Sequence, residues 1–199
     1  LETLRDAVAD VATDRTIRAV VLTGEGRRAF ASGADIREMS EMSPTAALAF
    51  ATLGQAVTSA IEATPQPWLA AVNGYALGGG CEMALACDIR IASENAKFGF
   101  FFVKMGLVPE LGSSTLLPGM IGMSRAIEWC MTARLVPAQE AREAGLVADV
   151  VAPEKLLDRS FEMVAQIARN PGNALAATRQ LLIQNVHNDD MPAVQRSEG

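Results

Sequence analysis

The chain has 199 residues and a formal net charge of −6, with half of its residues hydrophobic and a fifth charged. That length allows one domain with a substantial core, and the acidic balance, without a basic run interleaved with aromatics, argues against a nucleic-acid partner. Cys81, Cys87 and Cys130 are an odd number without metal-ligand spacing, so neither a disulfide framework nor a metal site is expected, and a reducing cytoplasm is.

In chain order, Leu1 to Val11 has the apolar spacing of an amphipathic helix, so a segment preceding Leu1 is expected. Ile17 to Leu22 is a β-branched run ending at Thr23-Gly24 and reads as a buried strand. Glu25 to Ile36 reads as a long connection rich in small residues. Pro44 opens a helix near Ala46 to Glu62, and Pro65 and Pro67 close it. Trp68 to Val72 is a second buried strand, Cys81 to Ala86 a short helix, and Ile89 to Ala92 and Lys97 to Phe98 short strands. Helices follow near Thr115 to Met120, Ser124 to Met131 and Ala138 to Ala144, then a strand over Leu146 to Val151. Pro153 to Ala168 and Asn173 to Asn185 finish the chain as helices. Strands and helices intermingle throughout, which predicts an α/β class. No continuous apolar run of about 18 residues is read, so no membrane span is expected.

Two chemistries fall away early. Gly24-Glu25-Gly26-Arg27-Arg28-Ala29 follows a strand and loosely matches the dinucleotide fingerprint, but that fingerprint needs a helix to open at once, and Phe30-Ala31-Ser32-Gly33 continues as loop. The single histidine, His187, lies in a polar tail segment before Pro192. It reads as a solvent-exposed loop residue rather than part of a Ser-His-Asp triad or a metal site. Acid–base work must come from carboxylates.

The most informative stretch is Asn73-Gly74-Tyr75-Ala76-Leu77-Gly78-Gly79-Gly80-Cys81-Glu82. Glycines at a strand-to-helix junction let backbone N–H groups approach a ligand closely, and the helix that begins there adds partial positive charge. A stable phosphate would be repelled by Glu82, and the Lys-Ser/Thr pair of a phosphate loop is missing. The site therefore suits a transient oxyanion, with Glu82 as the nearby proton carrier. The plainer reading of Glu82, a carboxylate in a first helical turn that complements the dipole, stands beside this one.

The sequence resembles the crotonase superfamily of enoyl-CoA hydratases and isomerases, over nearly the whole chain and in four ordered blocks. These are Arg18 to Gly24 with Ala29 to Ile36; Ala71 to Glu82 with Cys87 to Ser93 and Phe98-Gly99; Gly106 to Glu110; and Ala138 to Ala141 with Ala144 to Val147. The resemblance implies a spiral of ββα units over residues 1–152, with a C-terminal helical segment over 153–199 that is incomplete. It implies an acyl-CoA thioester whose oxygen is held by the N–H groups of Ala34 and Gly79, with the backbone around Ser32 touching CoA. No metal or redox cofactor is implied, because CoA travels with the substrate. Family members also imply a further strand before Leu1, further helices after Gly199, and a trimer or a pair of trimers. Asp35, next to Ala34, reads as a cap for the following turn.

Glu82 matches one of the two glutamates of the hydratases. At the second position the chain has Phe102, in Phe98-Gly99-Phe100-Phe101-Phe102. Phe102 reads either as core packing or as lining of an acyl pocket. Glu110, after Pro109, could face solvent or cap a helix; the double-bond isomerases of the superfamily carry their catalytic carboxylate at this position. Three functions are therefore weighed. The first is an enoyl-CoA isomerase with Glu110 as base. The second is a hydratase using Glu82 with Glu110, and the third a catalytically weak CoA-binding or assembly protein.

Overall fold

A computed structural model describes residues 1–186, 190, 191 and 197. His187 lies outside the described residues. The helix expected at the start is α1 (Glu2–Thr13), and the first strand is shorter and later than its pattern, β1 (Val20–Thr23), and is half-buried with Thr23 exposed rather than buried as expected. The long connection after it contains β2 (Ala29–Ala31) and leads into α2 (Ile36–Ser40). Thus no helix opens at Gly24–Ala29, as the rejection of the dinucleotide motif requires. Asp35 caps α2, its carboxylate accepting from the Arg37 N–H at 2.8 Å. Helix α3 (Pro44–Ala63) starts on the Ser43 hydroxyl, which accepts from the Ala46 N–H, and carries proline in its first turn, where the missing N–H costs nothing.

The rest of the chain follows the predicted order with four further corrections. After β3 (Trp68–Val72) comes a strand that was not anticipated, β4 (Tyr75–Leu77), and then α4 (Gly79–Ala86), which begins two residues early, on the glycines themselves. Strands β5 (Ile89–Ser93) and β6 (Lys97–Gly99) lead to a 3-10 turn at Phe102–Met105, then α5 (Ser113–Ile121) and α6 (Met123–Thr132). An unanticipated β7 (Leu135–Pro137) precedes α7 (Ala138–Glu143), and β8 is confined to Asp149–Val151. Helices α8 (Leu156–Ala168) and α9 (Gly172–Asn185) follow. The strands missed, β2, β4 and β7, have three residues each, too short to show an alternation.

These elements form the expected spiral. One sheet has the order β1-β3-β5-β8, all parallel; the other has β2-β4-β6-β7, with only β7 antiparallel. From β1 to β6 successive strands alternate between the two sheets and each pair is followed by helix, whereas β7 pairs with β6 in the same sheet and α7 separates it from β8. The continuous apolar run of β3 is buried on both faces. Trp68, Ala70 and Val72 point into the main core, whereas Leu69 and Ala71 meet Leu156 and its helix on the other side. Helix α9 is tied down by Arg179. Its guanidinium donates to both Asp88 carboxylate oxygens at 2.8 Å and to the carbonyls of Ile61, Glu62 and Thr64. A cation thereby satisfies the open carbonyls at the end of α3.

Helix α3 bears on the expectation that no segment spans a membrane. Within its 20 residues the most apolar 18-residue window reaches a mean hydropathy of 1.2, long and apolar enough by composition to cross a membrane. Many alanines raise the mean without forming an unbroken apolar run. The helix packs on α1 and α4 through a face that buries Gly54, Val57, Thr58 and Ile61.

Candidate active site

Strands β2 and β4 run parallel in register Ala29↔Tyr75 and Ala31↔Ala76, so both end at the same edge of their sheet. The loop after β2, Ser32-Gly33-Ala34, therefore lies beside the loop after β4, Gly78-Gly79. Two glycines make this approach possible. A Cβ on Gly33, whose φ is +83°, would stand 3.0 Å from the Leu77 carbonyl oxygen and 3.4 Å from the Gly79 nitrogen. One on Gly80 would stand 2.0 Å from the Ala31 carbonyl oxygen, so α4 packs directly on the backbone of β2. Gly78 is fixed by its own N–H, which donates to the Gly99 carbonyl at 2.8 Å. As the first residue of α4, Gly79 has no intrahelical acceptor for its N–H.

These loops form one wall of a cavity of about 530 Å³ that is also lined by Glu82, Phe102, Glu110 and Leu111. All six residues singled out in the sequence, Ser32, Ala34, Gly79, Glu82, Phe102 and Glu110, thus line the same space. Asp35 lines it too, but its carboxylate is engaged as the cap of α2. Phe102 satisfies both of its readings. It is buried in the main core, and its ring edge lies 3.9 Å from where a Cβ on Gly78 would be.

Glu82 is completely buried. Its Oε1 accepts three hydrogen bonds: from the Glu110 N–H at 3.1 Å, the Leu111 N–H at 3.0 Å and the Ser113 hydroxyl at 2.6 Å. Its Oε2 has no partner among the described residues. Desolvation pushes its pKa above the ordinary carboxylate value, against the opposing pull of those hydrogen bonds. A carboxyl group with one oxygen saturated by donors and the other bare is suited to carrying its proton on the bare one. Glu110 differs. Its side chain is exposed at the cavity, while its backbone is gripped, the N–H by Glu82 and the carbonyl by the Gln55 amide at 3.1 Å.

Sequence reasoning missed three members of this arrangement. Leu111 and Ser113 lie in the turn that follows Glu110, and the only local signal was the Gly112-Ser113-Ser114 run, which reads as an ordinary helix start. Gln55 sits mid-helix on α3 and carried no signal at all.

The arrangement defines a class of protein: one that holds an oxyanion on backbone N–H groups beside an apolar cavity and moves protons with carboxyl groups. The chain belongs to the enoyl-CoA hydratase/isomerase family, whose description matches residues 1–198. It is 40% identical over 182 residues to a short-chain-enoyl-CoA hydratase of Clostridium acetobutylicum, covering 92% of this chain and 70% of that one. Its fold superposes on the crystal structure of an enoyl-CoA hydratase from Bacillus anthracis with a TM-score of 0.95 at 34% identity, covering 99% of this chain and 76% of that one. A monofunctional enoyl-CoA isomerase from M. smegmatis gives a TM-score of 0.83 at 35% identity, covering 98% of this chain and 84% of that one. The chain is an enzyme of a family that includes both hydratases and isomerases.

Proposed function

We propose that this enzyme shifts the double bond of an enoyl-CoA, taking a 3-enoyl thioester to its 2-enoyl isomer. Glu110, as carboxylate, removes a proton from the carbon next to the thioester. The electron pair delocalises onto the thioester oxygen, which accepts hydrogen bonds from the N–H groups of Ala34 and Gly79. Two preorganised donors at that oxygen supply a few kcal/mol of stabilisation. Glu110 then returns the proton to the γ carbon, so one carboxyl group serves both transfers. In this reading the backbone around Ser32, on the cavity wall, contacts the CoA portion, and no cofactor is needed beyond the CoA that the substrate carries.

The observation that carries this reading is Phe102. Where the resemblance to hydratases calls for a second glutamate, a buried phenylalanine lines the cavity instead. That wall has no group to orient water, and loss of one acid–base residue typically costs about 10²–10⁴ in rate. Hydration by Glu82 with Glu110 is the second reading. It is supported by the bare, buried Oε2 of Glu82 at the cavity and by the hydratase name of the Clostridium relative. Side-by-side assays on matched chain lengths separate them. Isomerisation should outrun hydration, and Glu110→Gln should remove most of it while Glu82→Gln costs less. Faster hydration, with isomerisation unaffected by Glu110→Gln, would return the chain to the hydratases. Turnover of no enoyl-CoA would leave the CoA-binding or assembly role.

The same reading extends to a cytoplasmic trimer or pair of trimers. Met123, Ile127 and Met131 form an exposed apolar stripe along α6 that suits self-association. Light scattering that returns a monomer would refute it.

A further inference from the structure

We propose that Gln55 and Ser113 are positioning residues that clamp the Glu110–Leu111 peptide and thereby aim the Glu110 carboxylate. The proposal rests on the reading of Glu110 as the base. The peptide is held from both sides. Its carbonyl accepts from the Gln55 Nε2 at 3.1 Å, and its N–H donates to Glu82 Oε1 at 3.0 Å. The preceding N–H, that of Glu110, donates to the same Oε1 at 3.1 Å. Ser113 closes the arrangement from the start of α5, its hydroxyl 2.6 Å from that oxygen. Ser113 is almost as deeply buried as Glu82 itself, so the hydroxyl has no water to compete for it.

The consequence for Glu82 is a division of labour between its oxygens. Oε1 is a bracket for the loop, and Ser113 fixes the carboxyl rotamer that turns it there. Oε2 is left bare, and it is the atom that carries a proton while Glu82 is neutral. An ionised Glu82 would add a negative charge beside the developing enolate, so the neutral form suits the reaction. The other titratable groups around Glu82 are Cys81 on its own helix, Cys130 on α6, and Asp35 on the cavity wall. Burial holds both thiols in their neutral form.

Two signatures distinguish this role from simple support of the fold. Because the Ser113 hydroxyl favours ionised Glu82, its removal makes Glu82 harder to ionise. The alkaline limb of the isomerase pH profile should then move to higher pH in Ser113→Ala and return in Ser113→Thr, which keeps the hydroxyl. Both Ser113→Ala and Gln55→Ala should lower kcat roughly tenfold with KM changed less than about twofold, since a misaimed base loses rate rather than binding. Gln55 is on the exposed side of α3, so its replacement does not threaten the fold.

The experiment is pH-resolved kinetics on the intact protein for these three variants and Glu110→Gln, with Gln55→Ala and Ser113→Ala repeated in the Glu110→Gln background. With no base to aim, neither should lower the residual rate there by more than about twofold. If Glu110→Gln is inactive but folded Gln55→Ala keeps kcat within twofold, the clamp is overturned and the base assignment stands. An alkaline limb unmoved in folded Ser113→Ala overturns it equally. Near-normal activity of Glu110→Gln removes the base assignment, and the clamp falls with it.

Discussion

Replacing Gly79 by proline isolates the oxyanion donor. Proline is tolerated in the first turn of a helix, where its missing N–H has no intrahelical partner, and Gly79 is the first residue of α4. There is also room for the side chain. A Cβ at this position would meet the Leu111 Cδ1 at 3.7 Å and the Gly33 Cα at 4.0 Å, which are ordinary contacts. Gly79→Pro should therefore fold, but it deletes the donor and puts a ring carbon where the thioester oxygen must sit. Loss of one such donor costs about 2.7–4 kcal/mol of transition-state stabilisation, roughly 10²–10³ in kcat. Gly79→Ala is the matched control. It keeps the N–H, places its methyl in the same space, and exchanges glycine for a better helix former, so kcat should stay within a few-fold. The assay is chromatographic conversion of a 3-enoyl-CoA, alongside a thermal melt of each variant. A folded Gly79→Pro enzyme with near-normal kcat would refute the oxyanion assignment. Equal losses in the alanine and proline variants would refute the argument from the N–H and point to crowding.

Other outcomes follow from the same structure. Glu82 has a folded-state pKa raised above its unfolded value, so the folded state loses stability as pH rises from the unfolded pKa through the folded one. Glu82→Gln cannot ionise, and its melting temperature relative to the parent should therefore be higher at pH 8 than at pH 5; the reverse trend would contradict a neutral Glu82. Arg179→Met removes the guanidinium that pairs with Asp88 and holds three carbonyls. Breaking so buried a pair should cost about 3–5 kcal/mol in urea unfolding, and a change under about 1 kcal/mol would show that α9 is held by other contacts. Phe102→Glu should raise hydration relative to isomerisation if the apolar wall sets the reaction, and an unchanged ratio would take that role from Phe102.

What the sequence determined by itself was whatever depends on near neighbours in the chain. Pro44 after Ser43, the two-faced apolar run Trp68 to Val72, and three glycines ahead of Glu82 each imply their structure through local sterics, capping or period. The oxyanion junction was therefore legible, and so were Asp35 as a cap and the alternation of strands with helices. The short strands β2, β4 and β7 were not, because only pairing with a neighbour makes three residues a strand. The apolar neighbours of Glu82 in the chain already pointed to a desolvated carboxyl with a raised pKa, which the structure bears out; the groups that hold it were not legible. The donors that saturate Oε1 come from residues 28 to 31 positions away, and the Gln55 contact to Glu110 spans 55. Tertiary structure alone decided which carboxyl group is bound and which is available. A hydrogen bond between distant residues leaves no periodic or compositional trace in the chain, and a proton's position depends on desolvation that exists only once the core has closed.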